Sequence, residues 1–247
     1  MTYCLAVSVD DGLVFASDSR TNAGVDYVAT YSKMSRFVFE NNRVLVLLTS
    51  GSLATSQAVV NGIKRDLNDP KADFDIRQGQ DLHEVAQYIG KLSQNEQRLH
   101  AQAIEKSNAN NESSFILGGQ IAGQACEIFL IYPQGNFISA SAETPYLQIG
   151  ESKYGKPILD RIISSDLSLS DAARCAVISL DSTMRSNVSV GPPLELALHK
   201  QGVFQAPEHL VLEGNSADYQ SLQAYWNEGM KSAFNQLPKL DWDKYDL

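Results

Sequence analysis

Removal of Met1 would leave Thr2 with a β-hydroxyl and a free α-amine on the same residue. A threonine hydroxyl is a poor nucleophile until a base takes its proton, and an N-terminal amine is such a base. The ordinary pKa of that amine, about 7.7–8.0, already lies near the working range. A neighbouring cation would lower it further and enlarge the neutral fraction, and the cation itself needs a carboxylate to stay charged in a buried site. While Met1 is attached, the Thr2 nitrogen is an amide with no basic lone pair. Loss of a positioned base costs about 10²–10⁴-fold, so removal of Met1 is expected to switch the chemistry on. Many intracellular chains begin Met-Thr, and Thr2 takes its meaning from what surrounds it.

The surrounding elements follow from pattern and punctuation. A strand is expected over residues 3–9, Asp11-Gly12 is a strong hairpin turn, and 13–17 returns as a second strand. Antiparallel strands joined by a tight turn bring their far ends together, which places Asp18 close to Thr2. A polar loop over 21–32 then leads to Lys33. A second hairpin is expected over 36–40 and 43–50, turning at Asn41-Asn42. The run Val44-Leu45-Val46-Leu47-Leu48 lacks alternation and predicts a strand buried on both faces. Ser50-Gly51-Ser52 punctuates the chain before a helix over 53–67, which Asn68-Asp69-Pro70 ends. A longer amphipathic helix is expected over 81–106. Strands return at 114–117, 125–132, 137–141 and 146–150, followed by helices over 154–164 and 169–184. Extended segments at 192–200 and 203–212 precede a last helix over 217–236 and a tail from about residue 237. Strands and helices in clusters, rather than in alternation, predict a layered α+β fold in one domain.

Other chemistries lack support. There is no Gly-x-Ser-x-Gly elbow. The run 118–123 (Gly-Gly-Gln-Ile-Ala-Gly) has no following Lys-Ser/Thr and reads as a plain hairpin turn. His83, His100, His199 and His209 have no metal-ligand spacing, and Cys4 reads as a small strand hydrophobe, so neither metal nor cofactor is expected. With Lys+Arg 20 against Asp+Glu 29, a net charge of -9 and no basic cluster, the chain is poorly suited to a phosphate backbone. Three cysteines at wide spacings suit a reducing cytoplasm. No apolar run approaches the ~20 residues that cross a bilayer, and Asp10-Asp11 breaks the first one, so neither a membrane span nor a secretory signal is expected.

Taken jointly, Thr2, the segment Asp-Gly-Leu-Val-Phe-Ala-Ser-Asp-Ser-Arg (11–20), Lys33 and Ser50-Gly51-Ser52 resemble the opening of a proteasome β-type subunit. The threonine stands sixteen residues before the Asp of an Ala-x-Asp-x-Arg strand end, a Lys follows, and a Gly opens the first helix. Four later stretches are similar to the bacterial ancestral β-subunit branch, Anbu: Phe-Ile-Leu-Gly-Gly (115–119), Leu-Ile-Tyr-Pro-Gln-Gly-Asn (130–136), Gln-Ile-Gly-Glu-Ser-Lys-Tyr-Gly-Lys-Pro-Ile-Leu (148–159) and Met-Arg-Ser-Asn-Val-Ser-Val-Gly-Pro (184–192). The resemblance covers nearly the whole chain.

It implies an N-terminal-nucleophile hydrolase with a four-layer αββα sandwich. Thr2 would be the nucleophile and, through its amine, the base. Lys33 would depress the pKa values around Thr2, and Asp18 would hold Lys33 protonated and oriented. The backbone N–H of Gly51 would stabilise the oxyanion. Ser189 maps to a supporting serine, Ser186 stands where the family carries an acid, and a second supporting serine falls at Glu151 or Ser152. Thr21, Tyr31, Thr49 and Leu53 match pocket-lining positions, with ordinary loop and core packing as the equal alternative. The fifteen residues from Asp18 to Lys33 are one fewer than in typical proteasome subunits, a difference that loop length absorbs. The implied activity is threonine-type hydrolysis of peptide or amide bonds within a ring or spiral of like subunits. A silent scaffold and a small-molecule amidase on the same fold are the alternatives.

Overall fold

The computed structural model describes residues 2–22, 28–99, 110–241 and 244. The first hairpin pairs β1 (Tyr3–Val9) with β2 (Gly12–Asp18), Cys4 lying opposite Ser17 and Val9 opposite Gly12. The second pairs β5 (Met34–Phe39) with β6 (Arg43–Gly51). Between them, Arg20–Asn22 and Val28–Thr30 form a two-stranded ribbon, β3 and β4, where a polar loop was expected.

Each hairpin is the nucleus of an antiparallel sheet. The first sheet adds β10 (Tyr146–Gly150) beside β1, and β11 (Leu194–Lys200) and β12 (Glu208–Leu212) beyond β2. The second continues from β6 to β7 (Ser113–Ile121), β8 (Glu127–Ile131) and β9 (Phe137–Ser139).

Alternation along the strands divides the side chains between two faces. Cys4, Ala6, Leu13 and Phe15 point between the sheets, against Val46, Leu48, Ile116 and Ile128. Tyr3, Leu5, Val7 and Val14 take the outer face and pack on Leu159, Ala172, Ala176 and Leu180. The last four belong to α3 (Lys156–Ile162) and α4 (Leu169–Ser186). On the far side, Leu45, Leu47, Phe115 and Leu117 meet Val59, Ile63, Val85 and Ile89, from α1 (Leu53–Asn68) and α2 (Leu82–Leu99). The result is helix, sheet, sheet, helix: the expected αββα sandwich. Strands β2 and β6 are buried on both faces, which is why they read as near-continuous apolar runs.

A last helix, α5 (Ala217–Asn235), buries only Tyr219 among its residues. The Tyr219 hydroxyl donates to Asp181 Oδ1 on α4 at 2.8 Å.

Two further sequence expectations change. Gly118 and Gly119 lie inside β7 rather than in a turn. A Cβ at Gly118 would come 2.6 Å from the Phe15 ring, so the glycine makes room for an aromatic of the opposite sheet. Residues 203–207 are not strand; β12 begins at Glu208. The helix expected to reach residue 106 is seen to Leu99, and its remainder falls outside the described residues. Among the described residues, no helix is long and apolar enough to cross a membrane.

Candidate active site

The hairpin register sets the Thr2 end of β1 against the end of β2. The Tyr3 N–H donates to Asp18 Oδ1 at 3.0 Å. The same oxygen accepts Lys33 Nζ at 2.6 Å, and the other, Oδ2, accepts the Gly191 N–H at 3.2 Å. Lys33 also donates to the Arg20 carbonyl at 2.7 Å. Asp18 is fully buried and Lys33 is 6% exposed. Removing two charges from water costs several kcal/mol per ion, and close pairing with further hydrogen bonds offsets that cost. Burial pulls the Asp18 carboxyl above its ordinary pKa; the Lys33 charge and the donors from Lys33, Tyr3 and Gly191 pull it back.

Thr2 is fixed from the other side by β10. Its carbonyl accepts the Glu151 N–H at 2.7 Å. Gly150 has φ +84 and a Cβ there would lie 1.9 Å from the Thr2 carbonyl oxygen, so only glycine allows this approach.

Gly51 ends β6 with φ +97. Antiparallel ladders alternate hydrogen-bonded and non-bonded pairs. The Ser52 N–H donates to Glu112 on the β7 side, so Gly51, one residue earlier, faces its N–H the other way. That is the direction in which the Thr49 N–H meets the Lys33 carbonyl at 3.0 Å. Strand β5 begins only at Met34 and does not extend opposite Gly51. The Gly51 amide therefore faces the side from which Lys33 approaches. Just beyond it, Ser52 caps α1, its Oγ accepting the Thr55 N–H at 3.3 Å.

A groove of about 770 Å³ opens here. Thr2, Lys33 and Gly51 line it, as do Thr21, Thr49 and Leu53. Asp18 lies beneath, joined through Lys33. The structure does not bring every expected residue to this groove. Tyr31 is 41% exposed and lies outside the groove lining. Ser189 is half-buried on the loop after α4, and its N–H donates to Asn187 Oδ1 at 3.0 Å. Glu151 reaches the same loop, its Oε2 accepting Asn187 Nδ2 at 2.9 Å, whereas Ser152 turns back through its N–H to the Gly150 carbonyl. Two partners escaped sequence reasoning: the Arg20 carbonyl and the Gly191 amide. Both are backbone groups, and no residue type announces them. Among the described residues no group of His, Cys, Asp or Glu could hold a metal.

A buried carboxylate–ammonium pair at the foot of a groove, beside the first strand and a glycine amide, lies within a sandwich shared by a broad class of hydrolases. Residues 2–198 match the proteasome subunit family model, and the chain belongs to that family. It is similar to the solved Anbu (ancestral beta-subunit) from Yersinia bercovieri, at 40% identity over 97% of this chain and 99% of that one, with a TM-score of 0.90. It is equally similar to Anbu from Pseudomonas aeruginosa, solved as a helical assembly: 40% identity, 99% and 100% coverage, TM-score 0.90. Anbu from Hyphomicrobium sp. strain MC1 matches at 38% identity over 97% of this chain and 100% of that one, with a TM-score of 0.87. No curated protein matches the chain.

Proposed function

We propose that this chain is a threonine-type hydrolase of peptide or amide bonds, activated when Met1 is removed. One observation carries the reading: Asp18 Oδ1 accepts both Lys33 Nζ and the amide next to Thr2, which fixes an ammonium beside the residue that would become the N-terminus.

The freed Thr2 amine takes the proton of its own hydroxyl as Oγ attacks the substrate carbonyl carbon. The tetrahedral oxyanion forms at the Gly51 N–H. Collapse of this intermediate breaks the C–N bond, and the leaving nitrogen takes the proton back from the Thr2 ammonium. An ester on Thr2 Oγ remains. Water, deprotonated by the same amine, attacks the ester and regenerates the hydroxyl. Lys33 stays charged and acts by its field, keeping the amine neutral enough to serve as base. Thr21, Thr49 and Leu53 line the groove and would contact the substrate; Ser189 and the Glu151 carboxylate would hold the loop behind Thr2.

Like subunits are the proposed partners. A relative forms a helical assembly, and α5 with the segment after it leaves Tyr225, Phe234, Leu237 and Leu240 more than half exposed. Such an apolar surface suits protein contact. Three free cysteines favour a cytoplasmic setting.

The test is intact mass followed by labelling with an electrophile selective for N-terminal threonine. Label on Thr2 of the processed chain, and none on a Met1-retaining form or on Thr2→Ala, is the expected result. Thr2→Ser should label, since it keeps hydroxyl and amine. Hydrolysis undiminished in Thr2→Ala would instead favour a scaffold or a different nucleophile.

A further inference from the structure

Asp18 and Lys33 come from segments separated by the β3–β4 ribbon, so their contact depends on how the Lys33 segment is held against the end of β2. A side chain from β11 joins the two. Glu195, on β11, accepts the Ser19 hydroxyl at Oε1 (3.3 Å) and the Ser32 hydroxyl at Oε2 (2.9 Å). Ser19 follows Asp18 directly and Ser32 precedes Lys33 directly. Ser32 Oγ also accepts the Met34 N–H at 3.3 Å, tying the bridge to the first residue of β5. A backbone bond runs alongside, from the Tyr31 N–H to the Ser19 carbonyl at 2.9 Å.

The Glu195 carboxylate is 12% exposed, and His209 of β12 also lies beside it, with Nε2 3.6 Å from Oε2. Hydrogen bonds to a charged acceptor are stronger than neutral ones; the Ser19 bond is partly buried and the Ser32 bond lies at the surface. No contact between Glu195 and Asp18 or Lys33 is needed for this arrangement to act on them.

We propose that Glu195 is a positioning residue: by holding Ser19 and Ser32 together it sets the Lys33 ammonium against Asp18 and beside Thr2. This rests on the hydrolase reading above. A misplaced Lys33 would depress the amine less, so the pH at which Thr2 becomes reactive would rise. Loss of a merely structural contact would lower stability and leave that pH unchanged.

The experiment compares Met1-processed wild type with Glu195→Ala and Glu195→Gln, measuring Thr2 labelling rate against pH and peptide-level hydrogen exchange at Tyr31. Glu195→Ala is expected to label at least about tenfold more slowly at neutral pH, with its midpoint shifted to higher pH and faster Tyr31 exchange. Glu195→Gln keeps a carbonyl acceptor and should recover much of the rate. Should Glu195→Ala fail to fold, Ser32→Ala removes the loop's half of the bridge and is read the same way. A folded variant with wild-type rate, midpoint and Tyr31 exchange overturns the proposal. Wild type that never labels sinks the hydrolase reading instead; Tyr31 exchange then still decides whether Glu195 docks the loop.

Discussion

At Asp18, burial of a carboxylate is offset by three donors, and only Lys33 among them carries charge. Removing one partner of a buried pair leaves the other uncompensated, at a cost of about 3–5 kcal/mol. Lys33→Ala is therefore expected to lose stability as well as Thr2 labelling. In that variant the orphaned carboxyl is raised by burial, so its contribution is present at low pH and lost as pH rises through the raised value. Denaturant titrations should find Lys33→Ala closer to wild type at pH 4 than at pH 7, and Asp18→Asn in the same chain should restore most of the loss at pH 7. Gly51 is a second sensitive residue. A Cβ there would lie 2.3 Å from the Glu112 carbonyl, at a φ that side chains rarely adopt. Gly51→Ala should cost about 1–3 kcal/mol and abolish labelling, because the amide moves with its strand. Retained labelling would show that β6 holds the residue 51 amide in place despite the added Cβ. The nearness of Asp18 to the start of β1 was legible from counting along one hairpin, since turn and period fix the register. The places of Tyr31 and Ser189 were not, because each sits on a loop whose course depends on elements far away in sequence.

At the scale of elements, the segment between α1 and α2 shows what an irregular connection needs. The Asp75 carboxylate accepts Arg77 Nε at 3.0 Å, Nη2 at 2.8 Å and the Arg77 N–H at 2.7 Å. The Arg43 guanidinium donates to the Ile76 and Gly79 carbonyls, pinning the segment to β6. The Arg77 side chain holds the Asp75 carboxyl below its ordinary pKa, more than burial raises it. A depressed carboxyl stabilises the fold above its unfolded value of 3.8 and loses that contribution as pH falls through the folded value. Asp75→Asn should therefore lower stability at pH 7 and flatten its decline below about pH 4, as read by urea titrations across pH. An unchanged acid decline would assign it to other carboxylates. Sequence pattern gave α1 nearly to the residue, through the Ser50-Gly51-Ser52 punctuation and the Asn-Asp-Pro stop. It missed the β3–β4 ribbon, whose three-residue strands are too short for periodicity to register.

For the molecule as a whole, the sheets are joined by apolar packing and, among other contacts, by a polar clasp. His199 of β11 is 1% exposed, with Nε2 3.2 Å from Gln120 Oε1 on β7. The same Gln120 oxygen accepts the Gly202 N–H at 2.8 Å. Burial lowers the His199 pKa from 6.5. Stability should thus be full above that value and fall as pH drops towards the folded value, where the unfolded chain binds a proton that the folded one refuses. His199→Gln should remove this part of the pH dependence in thermal unfolding; an unaltered profile would show that the clasp titrates little. The proposed assembly makes its own prediction. Tyr225→Ser with Phe234→Ser, at two of the most exposed aromatics of α5, should reduce the mass seen by light scattering without lowering monomer stability by more than about 0.5 kcal/mol. Unchanged mass would place the subunit contact elsewhere.

The sequence alone determined the two hairpins, the helical stripes and the layered class, because strand and helix periods and turn residues act over a few positions. It also singled out Thr2, Asp18, Lys33 and Gly51 as a set. Only the tertiary structure decided which backbone groups complete the set, that Gly118 yields to Phe15, and that Glu195 spans Ser19 and Ser32. Apart from the Arg20 carbonyl, thirteen positions from Lys33, those contacts join residues more than a hundred positions apart, and no local rule reaches across that distance; packing of the two sheets brings them together.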